Sequence, residues 1–277
     1  PLIFDARGFW PDERVDGGIW TRGSVVYRAA KAFERRFFRA ADRVVVLTKA
    51  AAEEVRRFPY LSGKVPPITV IPTCADLDRF APANRKPPGF VLGYVGAVGN
   101  WYDFAATAKV FARLKTHRPD ARMLVVNRGE HELVHSAMAA EGLAKADYEI
   151  VAARHADVPE LVRRMSAAIL IARPAYSHLG RSPTKLAEFL GCGVPCLINP
   201  GVGDTEATIE DNRVGIIIRN LDDESIDLAI NELLAMVNEP DVRERCRATA
   251  VKVYSLDGGV RAYREIYRSL GLPMAAG

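Results

Sequence analysis

Apolar positions in this 277-residue chain fall into short unbroken runs, separated by longer stretches with helical spacing. A run of four to six apolar residues bounded by turn residues marks a strand buried on both faces. Apolar residues recurring at i, i+3, i+4 and i+7 mark a helix packed by one side. Phe90–Val95, Arg122–Asn127, Tyr148–Val151, Ala167–Ala172, Pro195–Ile198 and Val214–Ile218 read as strands. Between the first two lies Trp101–His117, with Phe104, Ala108, Phe111 and Leu114 on one helical face. Strands alternating with helices in this way predict a parallel, doubly wound sheet of six strands, a complete Rossmann-like α/β unit.

The pattern before Pro72 is thinner. It predicts strands at Leu2–Phe4, Arg43–Leu47 and Ile68–Pro72, fewer than a complete unit of this kind, and helices at Tyr27–Ala41 and Lys49–Phe58. The helix at Tyr27–Ala41 places Ala30, Phe33, Phe37 and Phe38 on its apolar side, with Arg28, Lys31, Arg35, Arg36 and Arg39 around them. It suits a core-facing helix with a solvated basic edge, and also a helix lying on an anionic membrane surface. The preceding loop, DARGFWPDERVDGG, carries Arg7, Asp12, Glu13 and Arg14, which either pin the loop to itself or contact a ligand. Pro82–Pro88 reads as a linker, and Leu256–Leu270 as a terminal helix carrying Tyr263 and Tyr267.

Composition narrows the field. A net charge of +4 is too mild to argue for nucleic acid, and no binding motif for it accompanies the charge. No apolar run reaches the roughly 18 residues of a membrane-crossing helix. Cys74, Cys192, Cys196 and Cys246 show no C-x-x-C spacing and read as reduced, cytosolic thiols. Asp76 and Asp78 form D-x-D, but two acids alone do not make a metal site.

The chemistry concentrates between Arg173 and Pro200, in RPAYSHLGRSPTKLAEFLGCGVPCLINP. This is a strand, loop, helix and strand. In an open α/β sheet such a loop lies at the carboxyl ends of the strands, where ligands bind, and the helix start offers free N–H groups to an anion. Ser182 is placed to cap that helix and Pro183 to open it. Arg173, Arg181 and Lys185 supply cations around the loop, and Glu188 a carboxylate that can accept from a sugar diol. Gly93, Gly96 and Gly99 follow a strand with spacing that is not G-x-G-x-x-G. The next strand ends in Asn127-Arg128 and not in the acid that holds an NAD ribose, so NAD is not expected. Gly201-Val202-Gly203-Asp204 reads as a turn with Asp204 capping a helix.

Ser182-Pro183-Thr184-Lys185, then Glu188-Phe189-Leu190 and Cys192-Gly193-Val194-Pro195, together resemble the donor-site segment of glycosyltransferase family 4, which has the GT-B fold. The resemblance implies that Glu188 binds the donor ribose. The family's first glutamate, separated from the second by seven residues and placed against the transferred sugar, falls on Gly180. The family's Arg and Lys after its first glycine turn are missing from Gly96–Asp103, so Arg181 and Lys185 are expected on the diphosphate. Arg154, His155, Asp157 and Val158 lie where the family holds the base. The implied donor set is Gly96, Gly99, Arg154, Arg173, Arg181, Ser182, Thr184, Lys185 and Glu188, with no catalytic residue named and no metal or other cofactor.

The resemblance further implies three regions. Residues 1–80 are a remnant of an N-terminal, acceptor-side domain, 81–255 a C-terminal domain for a nucleotide-diphosphate sugar, and 256–277 a helix returning to the first part. It implies sugar transfer with retention, to an unidentified acceptor that is a glycan, lipid-linked or a small molecule. The location expected is cytoplasmic, either free or peripheral on the inner membrane surface, and the short first part implies that this chain alone transfers sugar poorly or not at all. A nucleotide-sugar epimerase, or a non-catalytic nucleotide-sugar binding module, would use the same site.

Overall fold

The computed structural model describes residues 1–83, 88–99 and 101–271. Most of the expected linker at Pro82–Pro88 lies outside these residues. The chain begins with β1 (Ile3–Ala6), α1 (Trp10–Asp16), α2 (Val25–Ala40), β2 (Arg43–Val46), α3 (Lys49–Arg56) and β3 (Ile68–Val70). It continues through β4 (Val91–Val95), α4 (Phe104–His117), β5 (Arg122–Val126), α5 (His131–Ala140), β6 (Tyr148–Val151), α6 (Val158–Val162) and β7 (Ala167–Leu170). Then come α7 (Thr184–Gly191), β8 (Cys196–Ile198), α8 (Thr205–Asn212), β9 (Gly215–Ile217), α9 (Asp223–Met236), α10 (Val242–Tyr254) and α11 (Leu256–Ser269).

The strands form two parallel sheets. The first has the order β1-β2-β3 and the second β6-β5-β4-β7-β8-β9. Alternate residues of the second sheet serve opposite cores. Val95, Leu124, Val126, Ala168 and Leu170 face the layer holding α6, α7 and α10, while Leu92, Tyr94, Met123, Val125 and Ile169 face α4, α5 and α9. That two-sided burial is why these strands are continuous apolar runs. Gly93 in the central strand is fixed by packing, since a Cβ there would stand 1.9 Å from the Met165 sulfur.

In the first part, the strand expected at Leu2–Phe4 is displaced toward Ala6, because Asp5 and Ala6 pair with Val45 and Val46. The apolar side of α2 also differs from expectation. Phe38 is buried, but Phe33 and Phe37 are 62% and 44% exposed. Glu34 takes the second buried place on α2, held by Lys31, which also donates to the buried Asp12 at 3.0 Å. This polar cluster turns the Glu34–Phe38 row inward and leaves the other aromatic rings outside. On the other face of the sheet, Ile266 of α11 packs with Val45 and Ile71, and the Tyr263 hydroxyl donates to Asp5 at 2.8 Å.

Candidate functional site

In the six-stranded sheet the order runs outward in both directions from β4 and β7, so the loops after these strands leave on opposite faces and open a crevice between them. Two cavities lie there. One of about 510 Å³ is lined by Gly96, Asn127, Glu130, His155 and Lys185 among others, and one of about 250 Å³ by Tyr102, Arg181, Ser182, Thr184, Lys185 and Asn199 among others. Lys185 borders both.

Helix α7 sets this geometry by burying Leu186, Ala187, Phe189 and Leu190, which carries Glu188 into the sheet with only 2% of its side chain exposed. Its carboxylate accepts from Lys185 Nζ at 2.8 Å and faces His155 Nε2 at 3.1 Å. A carboxylate offers about four acceptor positions, so roughly two remain for a ligand. The expected cap is absent. Pro183, not Ser182, is the N-cap residue, and the Ser182 hydroxyl accepts from the Thr73 N–H at 3.2 Å, tying the helix start to the chain after β3. Thr184 opens the helix, where the first N–H groups lack intrahelical partners.

Arg181 lies over the Trp101 ring at 5.0 Å and the Tyr102 ring at 6.0 Å, and donates to His178 Nε2 at 3.0 Å. Burial, with the Arg181 charge adding to it, pushes the His178 pKa down to about 4. His178 is therefore neutral at pH 7, and its Nε2 is free of a proton and able to accept. Asn199, unremarked in the sequence, fixes the floor by exchanging both amide groups with the Ala172 backbone at 2.8 Å.

Two expected donor residues stand apart. Arg154 is 84% exposed and bonded to Asp157 at 2.9 Å, and Arg173 is exposed. It is the neighbouring His155 that reaches Glu188. Asp157 makes no cap bond at α6, because its carboxylate is occupied by Arg154. Asp204 does not cap α8 either. Its carboxylate accepts from Lys49 N at 2.6 Å and Ala50 N at 3.1 Å, at the start of α3 in the other sheet's layer.

The glycine turn after β4 is already occupied. Val98 N and Gly99 N donate to the two carboxylate oxygens of Glu130 at 2.9 and 3.3 Å, and Asn127 Nδ2 donates to the same carboxylate at 3.0 Å. Gly96 borders the larger cavity, but the Gly99 amide is turned to Glu130.

The segment Tyr176–Gly180 forms the wall toward the first sheet. Ser177 N donates to Asp16 at 2.9 Å, Thr48 Oγ1 to Leu179 O at 2.5 Å and the Tyr176 hydroxyl to Glu54 at 2.8 Å, while the Tyr176 ring stacks on Phe9. A Cβ on Gly180 would stand 3.0 Å from Gly8 Cα and 3.3 Å from Phe9 N. A glutamate at position 180, which the resemblance expects, would therefore press on the backbone of Gly8 and Phe9. Glu13 lies close by: burial raises its pKa while Arg181 pulls it down, and its Oε1 would be 3.2 Å from a Cβ on Gly8.

A family model described as glycosyl transferases group 1 matches residues 77–253. The chain is 22% identical over 208 residues to a GDP-mannose-dependent monoacylated alpha-(1-6)-phosphatidylinositol monomannoside mannosyltransferase of Corynebacterium glutamicum, covering 69% of this chain and 53% of that protein. It thus spans about half the length of the curated relative it matches. In structure it is similar to sucrose-phosphate synthase from Thermosynechococcus elongatus, with a TM-score of 0.73, 16% identity, and coverage of 97% of this chain and 67% of the other. It is also similar to Anabaena HepE in complex with UDP and glucose, with a TM-score of 0.68, 16% identity, and coverage of 98% and 71%. The fold is that of GT-B glycosyltransferases.

Proposed function

Because the chain belongs to the group 1 glycosyl transferases, we propose that its six-stranded unit holds a nucleoside-diphosphate sugar in the crevice between β4 and β7, and serves sugar transfer to an acceptor bound toward the first sheet. Glu188 is the observation that carries this reading. A 2%-exposed carboxylate, fixed by Lys185 and His155, which both border the larger cavity, has acceptor positions left for vicinal hydroxyls. We assign it to the donor ribose, and the base to the His155 side of the larger cavity.

Arg181, Lys185 and the first amides of α7 surround the smaller cavity. We assign the diphosphate to them, lying between the two cavities that Lys185 borders and within reach of the turn after β4. In the transfer step the bond between the sugar's anomeric carbon and the phosphate oxygen breaks as the acceptor hydroxyl oxygen bonds to that carbon, and the hydroxyl proton passes to the departing phosphate oxygen. The developing diphosphate charge is then met by two cations and a helix start without a metal ion. In this reading the anomeric configuration is retained by attack from the leaving-group face, within the S-P-T-K branch of family 4. Residues 1–80 supply the acceptor side. A thermal-shift panel of UDP, GDP, ADP and their sugars tests the donor reading, since stabilisation grows with ligand concentration over Kd. No shift with any of them at millimolar ligand rejects it.

A further inference from the structure

The turn after the central strand β4 aims two consecutive amides, Val98 N and Gly99 N, at one carboxylate, that of Glu130. Paired backbone N–H groups at the end of a sheet strand are how a main chain takes up a phosphate group. Here the protein fills them with its own anion. Glu130 stands at the start of α5, but its side chain makes no cap bond to that helix, so capping does not explain its direction. Asn127, 3% exposed, organises the whole arrangement. Its Oδ1 accepts from Gly129 N at 3.1 Å and Glu130 N at 2.8 Å, while its Nδ2 donates to Gly96 O at 2.9 Å and to Glu130 at 3.0 Å. Burial works to raise the Glu130 pKa, but the bonds from Val98, Asn127 and Gly99 outweigh it and hold the group below the usual carboxylate value. The carboxylate borders the same cavity as Lys185 and His155.

We propose that Glu130 is a tethered competitor of the donor's diphosphate: in the empty protein it occupies the Val98 and Gly99 amides, and a diphosphate takes them only when Glu130 gives them up. The inference rests on the nucleotide reading above. A tethered group acts at an effective concentration of about millimolar, so it weakens binding of the free anion without abolishing it. After transfer, return of the carboxylate to the amides favours release of the nucleoside diphosphate.

Calorimetry with inorganic pyrophosphate, a nucleoside diphosphate and the parent nucleoside on wild type, Glu130→Gln and Glu130→Ala tests this. Both anions are expected to bind about three- to tenfold more tightly to each variant, the scale of one ordinary net hydrogen bond, with nucleoside affinity unchanged. Equal or weaker pyrophosphate binding in the variants overturns the proposal and makes Glu130 a structural tie. Nuclear magnetic resonance on the wild type covers the case of a variant that fails to fold. The Val98 and Gly99 amide signals move on saturation with pyrophosphate if the proposal holds, and stay in place if it does not. Tighter pyrophosphate binding with no nucleoside diphosphate bound by any of the proteins would reject the donor reading and leave the competition standing.

Discussion

Replacing Glu188 by Ala isolates the proposed ribose contact. The carboxylate is almost fully buried, yet its partners keep access to water, with Lys185 26% and His155 55% exposed. The substitution therefore strands no charge in the interior, and the fold is expected to survive. What disappears is the pair of acceptor positions that Lys185 and His155 leave unused. One hydrogen bond to a charged group contributes about 1.5 to 3 kcal/mol, which corresponds to roughly ten- to a hundredfold in Kd. Freed from Glu188, Lys185 can also turn to phosphate and partly offset the loss, so a single ligand is a poor readout. The assay is calorimetry of a nucleoside diphosphate and its 2′,3′-dideoxy analogue on wild type and Glu188→Ala. The wild type should prefer the ribose form by roughly ten- to a hundredfold, and the variant should bind the two within about threefold of each other. An equal loss for both ligands would refute the contact, because a change in fold or in Lys185 acts on both alike. Glu188→Gln keeps the shape but loses the charge, and should fall between.

Arg181→Ala and Lys185→Ala should each weaken nucleoside diphosphate binding about five- to tenfold while sparing the nucleoside, and should flatten the salt dependence measured by calorimetry. His178 takes up a proton near pH 6.5 when unfolded but only near pH 4 when folded, so the stability it confers is whole above pH 6.5 and declines as pH falls from 6.5 to 4. His178→Asn should make the melting temperature less sensitive to pH across that window, with up to about 2 kcal/mol at stake. Gly180→Ala should destabilise the chain by about 1 to 3 kcal/mol in denaturant unfolding, because the methyl would stand 3.0 Å from Gly8 Cα and 3.3 Å from Phe9 N, closer than ordinary contact.

What the sequence disclosed depended on distance along the chain. The strands of the six-stranded sheet were legible because both faces are buried, and none differs by more than two residues at either end from its apolar run. The helix that carries Glu188 was legible because it forms one continuous segment with the loop before it. Ser182 and Asp204 were misread for the opposite reason. Each sits beside a helix start that it suits, but its oxygens were recruited by Thr73, 109 residues away, and by Lys49 and Ala50, about 155 away. Glu130 was passed over because the search for an acid stopped at the end of its strand, whereas the groups it satisfies lie in the loop of the neighbouring strand. Between the adjacent residues Arg154 and His155, only the turn geometry decides which one reaches the crevice.

The docking of Tyr176–Gly180 has a mechanical consequence. By covalent connection this short segment belongs to the six-stranded sheet, but Asp16, Thr48, Glu54 and Phe9 anchor it to the three-stranded one. If the two sheets rotate against each other, the segment travels with the smaller sheet. The bending is then taken up at its ends, Arg173–Ala175 on one side and Arg181–Pro183 on the other. The second of these hinges carries the Arg181 guanidinium and leads directly into α7. Relative motion of the two halves is thus geared to the position of the Arg181 cation at the smaller cavity, which under the proposed function couples the acceptor half to the grip on the leaving group.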